Sequence, residues 1–305
     1  MARLLVLGAG GFIGRAVRRE LLAGGHQVAC LDRIAAEAGG SDEAWFQLDL
    51  LETSADAFSD IVRRVGPEAV LNCAGLVDGS TEQLVRANVL LVARLLEVAR
   101  AEEVRLVHLG SAAEYGPSEP GRSVSEDDAP RPLTAYAVTK LGGTLLVTNA
   151  VESGVVSGVV LRLFNPLGPG MPPSSMPGRA ASLVREARAS GAQAITMGPL
   201  DAWRDFIDLR DAASAIIEAA LHPGVTAPLL NVGTGTAVLA RDVVRAIADA
   251  AGWQGEVVEQ AALASPRSAA VSWQQASTTR IESVLGWRPT RSLGEAAASV
   301  LAGEG

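Results

Sequence analysis

The stretch Arg3-Leu-Leu-Val-Leu-Gly8-Ala-Gly-Gly11-Phe-Ile-Gly14 decides the fold of this chain. Its apolar start predicts a short buried strand, and the amphipathic segment Phe12 to Ala23 predicts a helix directly after the glycines. Glycines in this position allow a tight turn, a close approach of the backbone to a pyrophosphate and close packing of the helix on the strand. The free N–H groups at the start of such a helix attract phosphate. The predicted dinucleotide contacts are Gly8, Gly11, Phe12, Ile13 and Gly14.

A carboxylate follows the second predicted strand. This strand, Gln27 to Leu31, ends at Asp32, 18 residues after Gly14. An acidic residue at about this offset binds the adenosine ribose hydroxyls of NAD and repels the 2′-phosphate of NADP. Arg33, the next residue, would offer a cation to that phosphate. The sequence therefore predicts NAD or NADP as cofactor and favours NAD.

The rest of the first half alternates predicted strands with predicted helices. The further strands are expected at Trp45 to Leu48, Ala69 to Cys73, Val104 to Leu109 and Val155 to Phe164. This alternation is typical of an α/β fold with a Rossmann-type, doubly wound parallel sheet. Cofactors lie against the carboxyl ends of such strands, so contacts are also predicted from Asp49, Leu50, Ala74 and Gly75.

A chain of 305 residues is long for one hydrophobic core. We predict an NAD(P)-binding domain over 1–165, with return segments near 204–233. A smaller C-terminal α/β substrate-binding lobe is predicted over 166–203 and 234–305. The Pro-rich residues 166–178 should form an ordered loop between the two parts.

Composition excludes several classes of partner. The formal net charge of −8 argues against nucleic acid. No apolar run is long enough to cross a bilayer, and the first residues lack the features of a signal peptide, so a cytoplasmic protein is expected. Cys30 and Cys73 fall in predicted buried strands and are interpreted as core residues. The three histidines, His26, His108 and His222, lack metal-ligand spacing, so no metal site is predicted.

Tyr136 and Lys140 are the strongest candidates for chemistry. Lys140 is the one lysine among 26 basic residues, and it follows one of only two tyrosines by four positions. On a helix, predicted here from about Thr134 to Glu152, such residues share a face. An ammonium beside a phenol lowers the phenol pKa from its usual value of about 10, which makes tyrosine an acid or base near neutrality.

Several motifs then recur in a fixed order. They are the glycine loop, Asn72-Cys-Ala-Gly75, Ser111 to Gly116, Tyr136 with Lys140, Arg162-Leu-Phe-Asn165, Arg204-Asp-Phe206 and Leu285-Gly-Trp287-Arg-Pro289. With this set the chain resembles the extended short-chain dehydrogenase/reductases, the NAD-dependent epimerases, dehydratases and reductases of nucleotide sugars. The resemblance implies that Tyr136 is the acid/base on a sugar oxygen and that Ser111 hydrogen-bonds the same oxygen. Lys140 would bind the nicotinamide ribose and lower the pKa of the tyrosine.

The resemblance implies further roles. Asn88, in the middle of a helix predicted from Thr81 to Arg100, would tie that helix to the active-site backbone through a water molecule and is also counted among the cofactor contacts. Asn165, Arg204 and Arg267 would hold the pyrophosphate of a nucleotide-sugar substrate. For each arginine, the alternative is a surface or interlobe ion pair. A homodimer formed through the helices 81–100 and 134–152 is also implied by the resemblance.

Departures from the family pattern narrow the reaction. Sugar dehydratases carry an acidic residue one or two positions after the catalytic Ser/Thr, where this chain has Ala112 and Ala113, so that reaction is rejected. Glu114, one place further, is expected to point elsewhere, and Gly110 replaces a frequent serine.

The second half of the chain looks most like reductases of nucleotide-linked 4-keto-6-deoxyhexoses, including GDP-4-keto-6-deoxymannose reductases. The alternative is an NAD-dependent nucleotide-sugar 4-epimerase, which would use the same residues and is favoured by Asp32. A third reading is a cofactor-binding regulatory protein without chemistry. Retention of Ser111, Tyr136 and Lys140 argues against that reading.

Overall fold

The computed structural model of the protein describes residues 1–34, 43–263 and 271–302. The strands are β1 Arg3–Leu7, β2 Gln27–Asp32, β3 Glu43–Gln47, β4 Ala69–Asn72, β5 Arg105–Ser111, β6 Gly158–Leu163, β7 Asn165–Leu167, β8 Ala194–Met197, β9 Trp203–Asp208, β10 Leu229–Val232, β11 Ala237–Leu239, β12 Glu256–Glu259 and β13 Trp273–Gln274.

The α-helices are α1 Phe12–Ala23, α2 Ala55–Val65, α3 Thr81–Val85, α4 Leu91–Ala101, α5 Ala135–Glu152, α6 Met176–Ser190, α7 Leu209–Leu221, α8 Ala240–Ala250, α9 Thr279–Leu285 and α10 Leu293–Leu301. A π-helical segment, Arg86–Leu90, joins α3 to α4, and short 3₁₀ helices cover Ala112–Tyr115 and Ala261–Leu263. The helices described here include none whose length and hydropathy match a bilayer span.

The larger sheet confirms the predicted fold class. In the described part of the chain it has seven strands in the order β10-β6-β5-β4-β1-β2-β3. Every neighbouring pair is parallel. Parallel strands have helices on both faces and are therefore apolar along their whole length. Every residue of β4 and β6 is accordingly buried.

Two hydrophobic cores cover the two faces of this sheet. Successive side chains of β1 alternate between them: Leu4 and Val6 pack with residues of α1 and α7. Leu5 and Leu7 pack on the other face, with residues of α2, α4 and α5. The sheet is thus enclosed in two helical layers, and its carboxyl edge is the exposed place for a ligand.

The strand order reverses beside β1. That strand pairs with β2 on one side and with β4 on the other, so the connections after β1 and β4 leave in opposite directions. In open α/β sheets a crevice forms at the carboxyl ends of the strands at such a point. The glycine loop after β1 and residues 73–75 after β4 meet there.

The remaining strands belong to smaller sheets. Strand β9 pairs with β7, β11 and β13, and β8 pairs with β12. A separate hydrophobic core lies between α6, α8, α10 and these strands. This arrangement agrees with a smaller α/β lobe, whereas the exact domain limits and the lobe's substrate-binding role stay predictions.

Asp205, on β9, connects distant parts of the chain. Its fully buried carboxylate accepts hydrogen bonds from Thr234 N at 2.8 Å, Thr234 Oγ1 at 2.7 Å, Gly235 N at 2.9 Å and Ala276 N at 3.2 Å. A buried charge is stable only when it is paired or hydrogen-bonded in this way. The residues after β10 and β13 are therefore fixed to β9.

One predicted boundary in this half is wrong. Helix α6 begins at Met176, inside the stretch expected to be a loop, because the Ser175 hydroxyl accepts a hydrogen bond from Gly178 N and proline is tolerated in a first helical turn. Helix α8 begins at Ala240, because Ala237–Leu239 before it pairs with β9 as a strand.

Candidate active site

The glycine loop brings three elements into close contact. Gly8 has a left-handed φ of +68°, and a Cβ on it would lie 2.8 Å from Ala74 N after β4. A Cβ on Gly14, in α1, would lie 2.1 Å from the Gly8 carbonyl oxygen. The helix is preceded by Gly11, which supplies no side-chain cap. The first N–H groups of α1 are therefore available to a phosphate at the crevice.

Asp32 is oriented toward this loop. Gly10 N donates to its Oδ2 at 2.9 Å, and Ile34 N donates to its Oδ1 at 3.2 Å. Arg33 is exposed beside it. Arg18, a further cation nearby, is paired with Glu43 and lies 4.9 Å from the ring centroid of Trp45. The carboxylate at the end of β2 thus has the position expected for a group that binds ribose hydroxyls.

A cleft of 1150 Å³ extends along the carboxyl edge of the sheet. Among the predicted cofactor residues, its lining contains Gly8, Gly11, Asp32, Arg33, Asp49, Leu50, Ala74 and Gly75. The size of the cleft, its glycines and the Asp32 carboxylate fit a dinucleotide. Cys73 packs against the core, as predicted, but it also lines the cleft and is only partly buried. The reason is that β4 ends one residue earlier, at Asn72.

Five other residues that were predicted to contact the cofactor do not line this cleft: Phe12, Ile13, Gly14, Asn88 and Lys140. Phe12 and Ile13 pack against the core under α1. Gly14 is buried beneath the loop. Phe12, Ile13 and Gly14 thus support the crevice from beneath the glycine loop. The contacts of all five residues to a cofactor stay predictions.

Helix α5 places the candidate acid/base group against strand β5. The helix is capped at Thr134, as predicted, with Ala137 N donating to Thr134 Oγ1 at 3.1 Å. Lys140 is buried, and its Nζ donates to the Leu109 carbonyl at 2.5 Å. Tyr136 lies one turn earlier and is partly exposed. Ser111, at the end of β5, is also partly exposed, and its Oγ accepts a hydrogen bond from Ala113 N at 3.2 Å.

The charge state of Lys140 depends on its surroundings. Burial lowers the pKa of the Lys140 ammonium, whereas the negative charge of Glu114 raises it. Burial also raises the pKa of the Cys73 thiol to about 12. Glu114 therefore opposes the loss of the Lys140 proton that burial favours.

Asn88 differs from its expected setting. A mid-helix asparagine is usually on the surface, but Asn88 is buried, in the π-helical segment that interrupts the predicted helix. Its Oδ1 accepts from Leu76 N at 2.9 Å, and its Nδ2 donates to Leu76 O at 2.9 Å and Thr139 Oγ1 at 3.1 Å. The link to the backbone after β4 is thus direct. An extra residue in a helical turn rotates the side chains, and this rotation turns Asn88 inward.

One signal for this packing is present in the sequence. The paired glycines of α5 sit against the π-helical segment, and a Cβ on Gly143 would lie 2.4 Å from Asn88 O. A glycine inside a helix costs stability unless close packing requires it. Gly142 and Gly143 could therefore have indicated a helix contact at this level.

Glu114 was not predicted to have a role, and it is completely buried. It accepts hydrogen bonds from Ser111 N at 2.7 Å, Thr144 Oγ1 at 3.0 Å and Arg162 Nε at 2.7 Å. A Cβ on Gly110 would lie 2.9 Å from Glu114 Oε1, which explains why this chain has glycine there. Glu114 therefore faces the interior, as expected, and it joins β5, β6 and α5.

Two of the predicted substrate residues, Asn165 and Arg204, lie on the neighbouring strands β7 and β9. Asn165 begins β7 and pairs in register with Phe206 of β9, and its Nδ2 donates to Asp205 O at 2.7 Å. Arg204 donates to the carbonyls of Trp203, at 2.8 Å, and Val271. Burial lowers the pKa of its guanidinium.

No carboxylate of residues 1–34, 43–263 or 271–302 forms an ion pair with Arg204. The alternative assignment of Arg204, to an interlobe ion pair, thus finds no support in that part of the chain. Arg267 lies outside the described residues.

Comparisons with known proteins agree with this geometry. The model of the NAD dependent epimerase/dehydratase family matches residues 4–233. The chain is 40% identical to the dTDP-6-deoxy-L-talose 4-dehydrogenase (NAD(P)(+)) of Kitasatospora kifunensis, over 97% of this chain and 93% of that enzyme. It is 27% identical to the GDP-6-deoxy-D-mannose reductase of Pseudomonas aeruginosa, over 98% of this chain and 96% of that enzyme.

A solved structure is similar over the same extent. MoeE5 in complex with UDP-glucuronic acid and NAD superposes with a TM-score of 0.83 at 29% identity, covering 98% of this chain and 97% of MoeE5. The resemblance noted in the sequence is thereby confirmed.

Proposed function

Because this chain belongs to the NAD dependent epimerase/dehydratase family of extended short-chain dehydrogenase/reductases, and is therefore an NAD(P)-dependent enzyme, we propose that it is a 4-ketoreductase of deoxysugar biosynthesis. Its substrate would be a nucleotide-linked 4-keto-6-deoxyhexose. The observation that carries this proposal is the similarity, over nearly the whole chain, to a 4-dehydrogenase and a reductase that are both named for nucleotide-linked 6-deoxy sugars.

The side chains at the end of β5 and on α5 would carry out the proton chemistry. A nicotinamide cofactor held in the cleft lined by Gly8, Gly11 and Asp32 would supply the hydride for the sugar C4 carbon. Tyr136 donates the proton that the ketone oxygen needs, and Ser111 Oγ donates a hydrogen bond to the same oxygen. Lys140, fixed to the Leu109 carbonyl, keeps a positive charge near the phenol and favours the tyrosinate left after transfer. One acid/base and one oriented donor suffice for this reaction.

The surroundings of Ser111 support rejection of a dehydratase. The two positions after it are alanines, and Ala112 is buried. The nearest carboxylate along the chain, Glu114, is enclosed and occupied by Ser111 N, Thr144 and Arg162. It therefore does not face a sugar in this arrangement, and none of residues 112–114 supplies the additional acid that elimination of water requires.

A nucleotide-sugar 4-epimerase is the second candidate. Asp32, with its carboxylate held by Gly10 N and Ile34 N, favours NAD, and an epimerase retains NAD between its two half-reactions. Epimerase chemistry would use the same Ser111, Tyr136 and Lys140. The two candidates differ in whether the cofactor is consumed.

The deciding experiment follows nicotinamide absorbance with purified protein. We expect that NADH or NADPH is oxidised in a one-to-one ratio with a dTDP- or GDP-linked 4-keto-6-deoxyhexose, and that the 6-deoxy sugar nucleotide is formed. Conversion of a nucleotide sugar into its C4 epimer without net cofactor consumption would instead support the epimerase. Tight cofactor binding with no turnover of either substrate class would support a non-catalytic regulatory protein.

We also propose a homodimer formed through the π-helical segment, α4 and α5. Large apolar side chains are exposed there: Leu90 by 44%, Val138 by 53%, Leu145 by 55% and Leu146 by 38%. Contiguous exposed apolar side chains mark interfaces more often than single ones do. Family members commonly pair through the two matching helices.

The cytoplasmic location stays a prediction.

Sedimentation velocity tests the dimer. The wild type should sediment as a dimer and Leu145→Glu as a monomer, because a carboxylate buried in an apolar interface has no partner. Leu22→Glu on α1 is the matched control, since Leu22 is 38% exposed on the opposite face of the sheet. A monomeric wild type, or a dimer that survives Leu145→Glu, would rule out this interface.

A further inference from the structure

Three residues form a row along α5. Tyr136, Lys140 and Thr144 follow one another at intervals of four, so they share one face of the helix. Lys140 Nζ donates to the Leu109 carbonyl, and Thr144 Oγ1 donates to Glu114 at 3.0 Å. The same carboxylate accepts from Ser111 N at 2.7 Å. The Lys140 ammonium and the Glu114 carboxylate thus bind the two adjacent peptide units on either side of Gly110.

The Lys140 ammonium lacks a direct carboxylate partner among the described residues. It is only 6% exposed, and its hydrogen bond goes to an uncharged carbonyl. A buried cation needs a nearby negative charge to remain protonated. Two acidic groups raise the pKa of this lysine, Glu114 first and the Cys73 thiol after it. Thr144, one helical turn from Lys140, binds Glu114 Oε1, whereas Arg162 binds Oε2 on the other side.

We propose that Glu114 is a positioning residue of the proposed reaction: it fixes the Ser111 backbone and supplies the counter-charge for the buried Lys140. The inference rests on the proposed function for its catalytic meaning, because only a protonated Lys140 can favour the tyrosinate form of Tyr136. Arg162 holds the carboxylate in place through its hydrogen bond to Oε2. Its guanidinium lies 4.5 Å from the Tyr115 ring centroid.

The other titratable groups around Lys140 do not replace this charge. His108, on β5, is buried, and burial together with the lysine charge lowers its pKa well below the usual value, so it is neutral. The Cys73 thiol after β4 has its pKa raised to about 12 by burial. Arg162 on β6 is a cation, and Tyr136 is one turn away on α5. Glu114 is thus the negative group that acts near neutral pH.

The composition provides a direct probe, because Lys140 is the only lysine in the chain. Protein grown with ¹³C-labelled lysine should give one lysine signal, whose shift against pH reports the Lys140 pKa. We expect Glu114→Gln to lower the titration midpoint by about one pH unit or more, as expected for loss of a neighbouring opposite charge. The alkaline limb of the kcat profile should move down by the same amount.

Thr144→Val is the matched control, since it removes one hydrogen bond to Glu114 and leaves the carboxylate. Its midpoint should stay near the wild-type value. A purely structural role would lower the melting temperature of both variants without moving the lysine midpoint of Glu114→Gln, and that result would overturn the proposal. An equal shift in Thr144→Val would overturn it as well.

A second variant is needed if Glu114→Gln does not fold because Arg162 has lost its ion-pair partner. The double variant Glu114→Gln/Arg162→Met removes both buried charges, which folded proteins often tolerate. Its midpoint should also fall, and an unchanged midpoint would count against the proposal. The titration needs no sugar substrate. Its result is therefore independent of whether the 4-ketoreductase activity is found.

Discussion

Replacement of Tyr136 by phenylalanine should lower kcat by about 10²- to 10⁴-fold, the range attributed to a positioned acid/base. The change removes one oxygen and leaves the ring, so the helix α5 and its contacts should persist. The affinity for NADH, measured by fluorescence in the absence of sugar, should stay within about twofold of the wild type because Lys140 and the glycine loop are unchanged.

Tyr115 provides the matched control, since it is the other tyrosine of the chain. Its ring is buried, and its hydroxyl donates to Asn231 Oδ1 at 2.7 Å. Tyr115→Phe leaves a buried amide oxygen with one partner fewer, at a cost of about 1–3 kcal/mol in the free energy of unfolding. It should retain most of its kcat. Full activity of Tyr136→Phe, or equal losses in the two variants, would remove Tyr136 from its assigned role.

Replacement of Gly14 by alanine should abolish most cofactor binding and destabilise the fold. The added Cβ would lie 2.1 Å from Gly8 O and 2.9 Å from Ala9 Cα, and both are backbone atoms that cannot rotate away. Overpacking in a core costs about 1–3 kcal/mol, and the backbone clash puts this site at the upper end. A displaced α1 would also lose N–H bonds to the cofactor phosphates. Two charged hydrogen bonds of about 1.5 kcal/mol each correspond to roughly a 100-fold rise in Kd.

Chemical denaturation and NADH fluorescence measure these two effects. Gly294→Ala is the control, because Gly294 is exposed in the first turn of α10 and its Cβ would meet only Ser292 Oγ at 3.9 Å. That variant should be slightly more stable than the wild type, since alanine is the better helix former. A Gly14→Ala protein with wild-type Kd for NADH would show that α1 does not hold the phosphates.

The larger sheet could be predicted because its central strands, such as β4 and β6, are buried on both faces. Helix α1 has the bounds, Phe12–Ala23, that its amphipathic pattern indicates. The sixth strand was expected from Val155, whereas β6 begins at Gly158, because Val155 is apolar but 49% exposed. An apolar run indicates where a strand lies, but it does not indicate the residue at which pairing with the neighbouring strand begins.

The strands of the smaller lobe depend on partners far away in the sequence. Strand β13 has only two residues, and Trp273 pairs in register with Trp203 of β9. Two residues are too few to show the alternation of apolar and polar side chains that is typical of a strand. The sequence of this segment therefore does not predict its strand conformation. The same holds for β7 and β11, which also pair with β9.

The candidate site was predictable where the residues act through fixed sequence spacing. Tyr136 with Lys140, and Asp32 after the glycine loop, follow rules for a helix face and for the carboxyl end of a strand. Glu114 and Asn88 follow no such rule, because their importance comes from contacts with other elements: Glu114 with Thr144 and Arg162, and Asn88 with Leu76.

The position of β10 has a consequence for folding during synthesis. This strand completes the edge of the larger sheet by pairing with β6, but the chain reaches it only after α6, β8, β9 and α7. Until Leu229–Val232 leaves the ribosome, β6 is an unpaired edge strand able to join other chains. Asn231 of β10 also binds Tyr115 and Val124. The sheet edge formed by β6 and β10 therefore becomes stable late, and a nascent chain that stalls before residue 229 is exposed to aggregation.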